Sequence, residues 1–262
     1  MTAVIADPAE SGISDRRVLD SAHSSWRGLV VQPLAILAVL AGFILWLSLA
    51  PLTPTERTTL APDALWAATL QHLSLTFVAA LIVLVIAIPL GVLLTRRRLR
   101  RLAAPILAIA NIGQAAPAIG LVVLLAILVT SGYWASILAL VLYAALPVLR
   151  NTMIGVRGVD EQLVEAGRGM GMSAAAVLFR IELPLAVPVM LAGIRTALVL
   201  LVGTAALAAF VNGGGLGILI VTGVNLYLTS VLVSGALLIA LLALAIDWLG
   251  RIVEQVARPK GL

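Results

Sequence analysis

Two stretches of this 262-residue chain place reactive residue types inside an otherwise apolar sequence. The first is Glu165-Ala166-Gly167, three residues, Gly171, nine residues, then Ile181-x-Leu183-Pro184. That spacing suits docking on another protein. The carboxylate offers a polar anchor, and Ala166 and Gly167 admit close approach. Gly171 can take the left-handed backbone that ends a helix. The second is Arg195, a guanidinium within a long apolar run. A charge there is costly and by default a functional candidate, and snorkelling to the inner interface is the competing reading. Backbone carbonyls or a neighbouring subunit are its expected partners, with Asp247 a further candidate. Other chemistry is ruled out early. The chain has no Cys and two His, His23 and His72, too few for a metal or thiol centre. Its only lysine, Lys260, follows no Gly-rich phosphate loop.

The elements that must hold these residues follow from composition. Of the residues, 62% are hydrophobic and 11% are charged, and mean hydropathy is +1.15. A soluble domain is about half apolar and about a quarter charged, so an all-α polytopic membrane protein is expected. Apolar runs of about 20 residues span a bilayer as helices. Six occur, over 29–50, 73–94, 102–130, 133–149, 185–210 and 226–250. The third is too long for one straight helix and is broken near Gln114 and Pro117. Such a break frees backbone carbonyls, which suit a transient cation site. Asn212, Gly213, Gly214, Gly215 and Gly217 form a flexible stretch near the outer face. It reads either as a gate or pore-lining turn, or as a loop that lets backbones pack closely.

Orientation comes from the basic residues, sixteen of the seventeen being Arg. With the N-terminus inside, fifteen lie on inner segments, only Arg57 lies outside, and Arg195 lies within a span. Inner loops carry such an excess, so the chain is expected N-in and C-in. The pI of about 10.7 then reports topology, and no nucleic-acid partner is expected. Residues 1–28 read as a cytoplasmic tail, 29–250 as the transmembrane domain and 251–262 as a second cytoplasmic tail. A cleaved leader is not expected, because the apolar run starts only at Leu29.

The longest inner loop, 150–184, holds the first motif. Asp160–Met170 reads as a short helix with acidic residues in its first turn. Gly171 ends it, Ser173 caps a second short helix, and Pro184 starts the fifth span. The pair reads either as a docking surface or as an amphipathic hairpin lying against lipid.

The spacing Glu-Ala-Ala-x3-Gly-x9-Ile-x-Leu-Pro is the signature of permease subunits of ATP-binding cassette importers, and this chain resembles it, with Gly167 in place of the second Ala. Leu146-Pro147-Val148-Leu149-Arg150-Asn151-Thr152, Gly155-Val156-Arg157-Gly158-Val159-Asp160, Ala192-Gly193-Ile194-Arg195-Thr196-Ala197 and Gly213-Gly214-Gly215-Leu216-Gly217 are similar to the permeases for glycine betaine, carnitine and choline. The resemblance covers roughly residues 70–250. It implies a type I importer fold in a bacterial inner membrane and no catalysis by this chain. It also implies two cytosolic ATP-binding subunits carrying ATP and Mg, a second copy or related permease, and an extracytoplasmic substrate-binding protein, all assembled in membrane lipid. Glu165, Ala166, Gly167, Gly171, Leu183 and Pro184 would then couple to the ATPase. Gln114, Pro117, Arg195, Asn212, Gly213, Gly214, Gly215 and Gly217 are candidates for the pathway or its gate. A permease for methionine or another small solute keeps the class and changes the cargo. A stand-alone channel or secondary transporter would leave the 165–184 signature unexplained. An intramembrane enzyme lacks the residues for metal or thiol chemistry.

Overall fold

The computed structural model describes residues 26–129 and 131–257. The expected tails lie outside these residues, except at 26–28 and 251–257. The helices are α1 (Trp26–Leu49), α2 (Pro54–Thr59), α3 (Pro62–Thr95), α4 (Ala103–Ala115), α5 (Ala118–Leu128), α6 (Tyr133–Arg157), α7 (Glu161–Gly169), α8 (Ala174–Val177), α9 (Leu183–Ala205), α10 (Gly217–Asn225) and α11 (Thr229–Val256). Among the described residues, five rods are long and apolar enough to cross a membrane: α1, α3, α6, the rod containing α9, and α11.

The sixth span is the broken one. Helices α4 and α5 meet at 101°. Pro117 lacks the N–H that would bond Gly113, and the ladder ends at Ala116, whose N–H reaches Ile112 O at 3.0 Å. The pair still crosses the molecule. It leaves the arginine-rich end just after Arg101 and finishes before Gly132, whose N–H bonds Val211 O (2.7 Å) at the far end of the fifth rod. Both α1 and α11 therefore have their polar termini at the arginine-rich end.

Hydropathy located the membrane crossings but not the helix ends. Helix α3 starts eleven residues before the expected span, with Pro62 at its first turn. Helix α6 continues past Leu149 to Arg157, because backbone bonding continues where apolarity stops. A short outer helix, α2, was not expected. Its capping box is complete: Thr53 accepts from Glu56 N–H (3.3 Å), and Glu56 accepts from Thr53 N–H (2.8 Å).

The core is a seam between α3, α6 and α9. Leu75, Ala79, Val83 and Ala87 stripe one face of α3 against Leu140, Ala144 and Val148 of α6 and Ala197, Leu201 and Ala205 of α9. Small residues let these backbones approach, which is how helices associate where lipid removes the hydrophobic drive. Helix α1 stands apart from the core. Val31, Leu34, Leu37, Leu45 and Leu49 are exposed along it. It is tied to α11 by Gln32 Nε2 to Leu244 O (3.0 Å) and Trp248 Nε1 to Leu29 O (2.8 Å).

Candidate functional site

The 150–184 loop folds as a closed hairpin. Asp160 caps α7 by accepting from Gln162 N–H (2.9 Å). The helix ends in two reverse bonds, Gly171 N–H to Arg168 O (2.9 Å) and Met172 N–H to Gly167 O (3.1 Å). This is the Schellman geometry, and it needs the positive φ of 82° that Gly171 supplies. Ser173 then accepts from Ala176 N–H (3.2 Å). The second helix is not separate from the fifth span, as expected from Pro184. Helix α8 runs through a π-turn, Leu178–Glu182, into α9. Leu183 N–H reaches back five residues to Leu178 O. The widened turn accommodates the ring of Pro184, which would clash with the carbonyl four residues earlier. The hairpin and the fifth span are therefore one rod.

Gly167 was expected to admit a partner. It is instead buried and faces inward, where a Cβ would strike Ile181 Cδ1 and approach Met172 Sδ at 3.3 Å. The residues left outside are Glu165 and Ala166, with Leu163, Met170 and Phe179 exposed around them. Glu165 has no polar partner among the described residues.

Where the hairpin meets the bundle, Glu182 is only 6% exposed. Its carboxylate is gripped by Arg96 at the end of α3. Arg96 Nη1 lies 3.2 Å from Oε1, and Nη2 bonds Oε2. Beside it, Arg157 Nη2 donates to Leu94 O (3.2 Å). The sequence reading missed this pair. The available signal was an acid opening a span opposite the arginine run at 96–101.

Arg195 pairs with carboxylates of its own chain, the candidate Asp247 among them. Its Nη1 lies 2.9 Å from Glu254 Oε2, and its Nε lies 3.6 Å from Asp247 Oδ1. Asp247 also holds Arg251 at 2.7 Å. The stem crosses Gly250, where a Cβ would sit 2.8 Å from Arg195 Cγ, and the head reaches one turn nearer the arginine-rich end. The side chain thus snorkels onto an acid. Beside it lies a crevice of about 160 Å³, lined by Phe77, Leu191, Ile194, Leu198, Ile246 and Val253. One ring makes no aromatic cage for a quaternary ammonium group.

The stretch expected to be flexible is tightly held. Asn212 takes φ 60°, and Gly214 and Gly215 take φ 81° and 82°. Gly213 N–H bonds Ala208 O (2.7 Å) and Gly215 N–H bonds Gln71 Oε1 (3.1 Å). His72, fully buried, receives Leu216 N–H at Nδ1 (3.3 Å) and donates from Nε2 to Val202 O (2.9 Å). A Cβ on Gly213 would collide with Ser136, and one on Gly217 with the Ala206 carbonyl. Gln71 and His72 were not foreseen as its clamps, since no local spacing marks a contact 144 residues away. Gln114 is half-buried and Pro117 is exposed at the break, 95 residues or more from this turn in sequence. No cluster of His, Cys, Asp and Glu suited to a metal occurs among the described residues.

A bundle with a broken third span and a helical hairpin built into its fifth defines a membrane transport subunit, and sequence comparison gives its family. Residues 87–259 match the binding-protein-dependent transport system inner membrane component family, to which this chain belongs. It is a multi-pass inner-membrane permease component, not a catalyst, of a system whose family works with an ATPase and a binding protein. The choline transport system permease protein OpuBB of Bacillus subtilis (strain 168) is 40% identical over 74% of this chain and 88% of that protein. The osmoprotectant import permease protein OsmW of Salmonella typhimurium is 39% identical over 74% of this chain and 92% of that protein. The fold is shared with the MetNI methionine ABC transporter in an inward-facing conformation, at TM-score 0.65 and 27% identity, covering 74% of this chain and 96% of that one.

Proposed function

We propose that this chain is the membrane-spanning subunit of an ATP-driven importer of osmoprotectants, small quaternary ammonium solutes of the choline, glycine betaine, carnitine and proline betaine type. The observation that carries the reading is the hairpin, closed by its own cap, presenting Glu165, Ala166, Leu163 and Met170 outward, and continuous with the fifth span. Two cytosolic ATPase subunits, holding ATP and Mg, dock there, and their closure moves α9 through Leu183 and Pro184. Gly167 and Gly171 shape the docking unit from within. Residues 150–184 are thus the coupling segment of the 29–250 transmembrane domain, and the tails at 1–28 and 251–262 flank it in the cytoplasm. The chain pairs with a second copy or a related permease, surrounded by lipid, and no nucleic acid takes part.

The path runs past the break at Gln114 and Pro117, where freed carbonyls favour a passing cation. Asn212, Gly213, Gly214, Gly215 and Gly217 form its outer gate, with Arg195 a charged post on the fifth span. The thin supply of inward aromatics supports placing solute selection in an extracytoplasmic binding protein. Charging the docking face tests this reading. Leu163→Asp with Met170→Asp is expected to abolish co-purification with the ATPase while membrane insertion persists. Competition by choline, glycine betaine and carnitine against labelled solute then tests the cargo, and competition by methionine alone would contradict it.

A further inference from the structure

We propose that Arg96 and Glu182 form the mechanical link that carries movement of the coupling hairpin into α3, making Glu182 a positioning residue for transport. This rests on the reading of the hairpin as the ATPase dock. Three observations meet at the pair. Glu182 closes the π-turn that joins the hairpin to α9, and its side chain is 8% exposed. Its two oxygens are each bonded by a different guanidinium nitrogen of Arg96. A two-point grip of this kind fixes orientation as well as distance. Arg96 itself directly follows α3, the helix that packs along α6 and also against α9.

The π-turn explains why the acid faces inward. A regular helix advances about 100° per residue, and the extra residue in the widened turn re-aims every side chain before Pro184 relative to those after it. The hairpin face stays outward while Glu182 turns to α3. The apolar contact of Gly167 with Ile181 is internal to the hairpin and does not reach α3. Arg157 bonds only a backbone carbonyl at the end of α3. The ion pair is therefore the directional joint between the docking unit and the helix at the centre of the core.

The test uses the assembled transporter in proteoliposomes, measuring labelled solute imported and ATP hydrolysed together. Glu182→Gln is expected to retain ATP turnover while import per ATP falls by about five- to tenfold, the scale of coupling between distant sites. The swapped pair, Arg96→Glu with Glu182→Arg, is expected to recover most of it. The apolar pair, Arg96→Met with Glu182→Leu, keeps the helices packed and is expected to restore thermal stability without restoring coupling. This pair also covers the case in which Glu182→Gln fails to fold. Unchanged import per ATP in Glu182→Gln, or full coupling in the apolar pair, would overturn the link. Failure of the underlying reading looks different: wild-type protein itself would import solute without stimulating ATP hydrolysis.

Discussion

Gly167 lies against Ile181 so closely that a methyl group on it would overlap the Ile181 Cδ1 atom. The small residue in the motif therefore serves the hairpin's own closure, and the docking face is left to its neighbours. Gly167→Ala presses on the movable ends of Ile181 and Met172 and is expected to keep transport. Gly167→Leu has no such relief and is expected to cost about 1–3 kcal/mol by overpacking. Limited proteolysis between residues 158 and 174, with ATPase stimulation measured in parallel, checks both.

Gly171 holds the reversal that follows α7, at φ 82°. A β-branched residue there costs about 1–2 kcal/mol or more, which shifts the hairpin toward an open turn. Gly171→Val is expected to abolish uptake and ATPase stimulation with insertion intact. Gly171→Asn, which tolerates the left-handed region, is expected to retain part of both. Normal uptake in Gly171→Val would contradict the role of the turn.

Much of this hairpin was legible in the sequence. Glycine at the reversal, Ser173 as a cap and acids in the first turn are local signals, and each fell where local chemistry placed it. The spans were legible for a similar reason, since hydropathy and arginine counts are sums over neighbours. What escaped were relations between distant residues. A small residue announces close approach without saying to what, so Gly167 was assigned to a partner. Glu254, 59 residues from Arg195, and Gln71 and His72, far from the glycine turn, carry no periodic signature linking them. Pro184 read as a helix start, and only the π-turn explains how the helix runs through it.

The glycine turn after α9 is packed, and its glycines are not equivalent to others in the bundle. A Cβ at Gly217 meets the rigid carbonyl of Ala206, whereas Gly203 has nothing within 4 Å. Gly217→Ala is expected to destabilise by about 1–3 kcal/mol. Gly203→Ala, in a helix interior, is expected to gain up to about 1 kcal/mol. Thermal unfolding in detergent ranks the two, and equal effects would contradict the packing.

On the outer side, Glu56 ties α2 to α11 by accepting from Ser230 Oγ and from Thr53. The Ser230 hydroxyl first, then the Thr53 N–H and hydroxyl, hold its carboxyl below the usual carboxylate range. A carboxyl lowered on folding contributes stability above its unfolded pKa, and that contribution is lost as pH falls through the lowered value. The α2 latch is thus expected to hold at neutral pH and loosen below about pH 4. Hydrogen exchange over residues 53–60 follows it, and Glu56→Gln is expected to remove the pH dependence.

The proposed function is inward movement of a quaternary ammonium solute on ATP hydrolysed by a partner. The direct measurement is accumulation of labelled choline and glycine betaine in proteoliposomes, with the ATPase and ATP on the hairpin side and the binding protein on the other. Accumulation is expected, and it is expected to stop when either ATP or the binding protein is withheld. Accumulation driven by an ion gradient without ATP would contradict it.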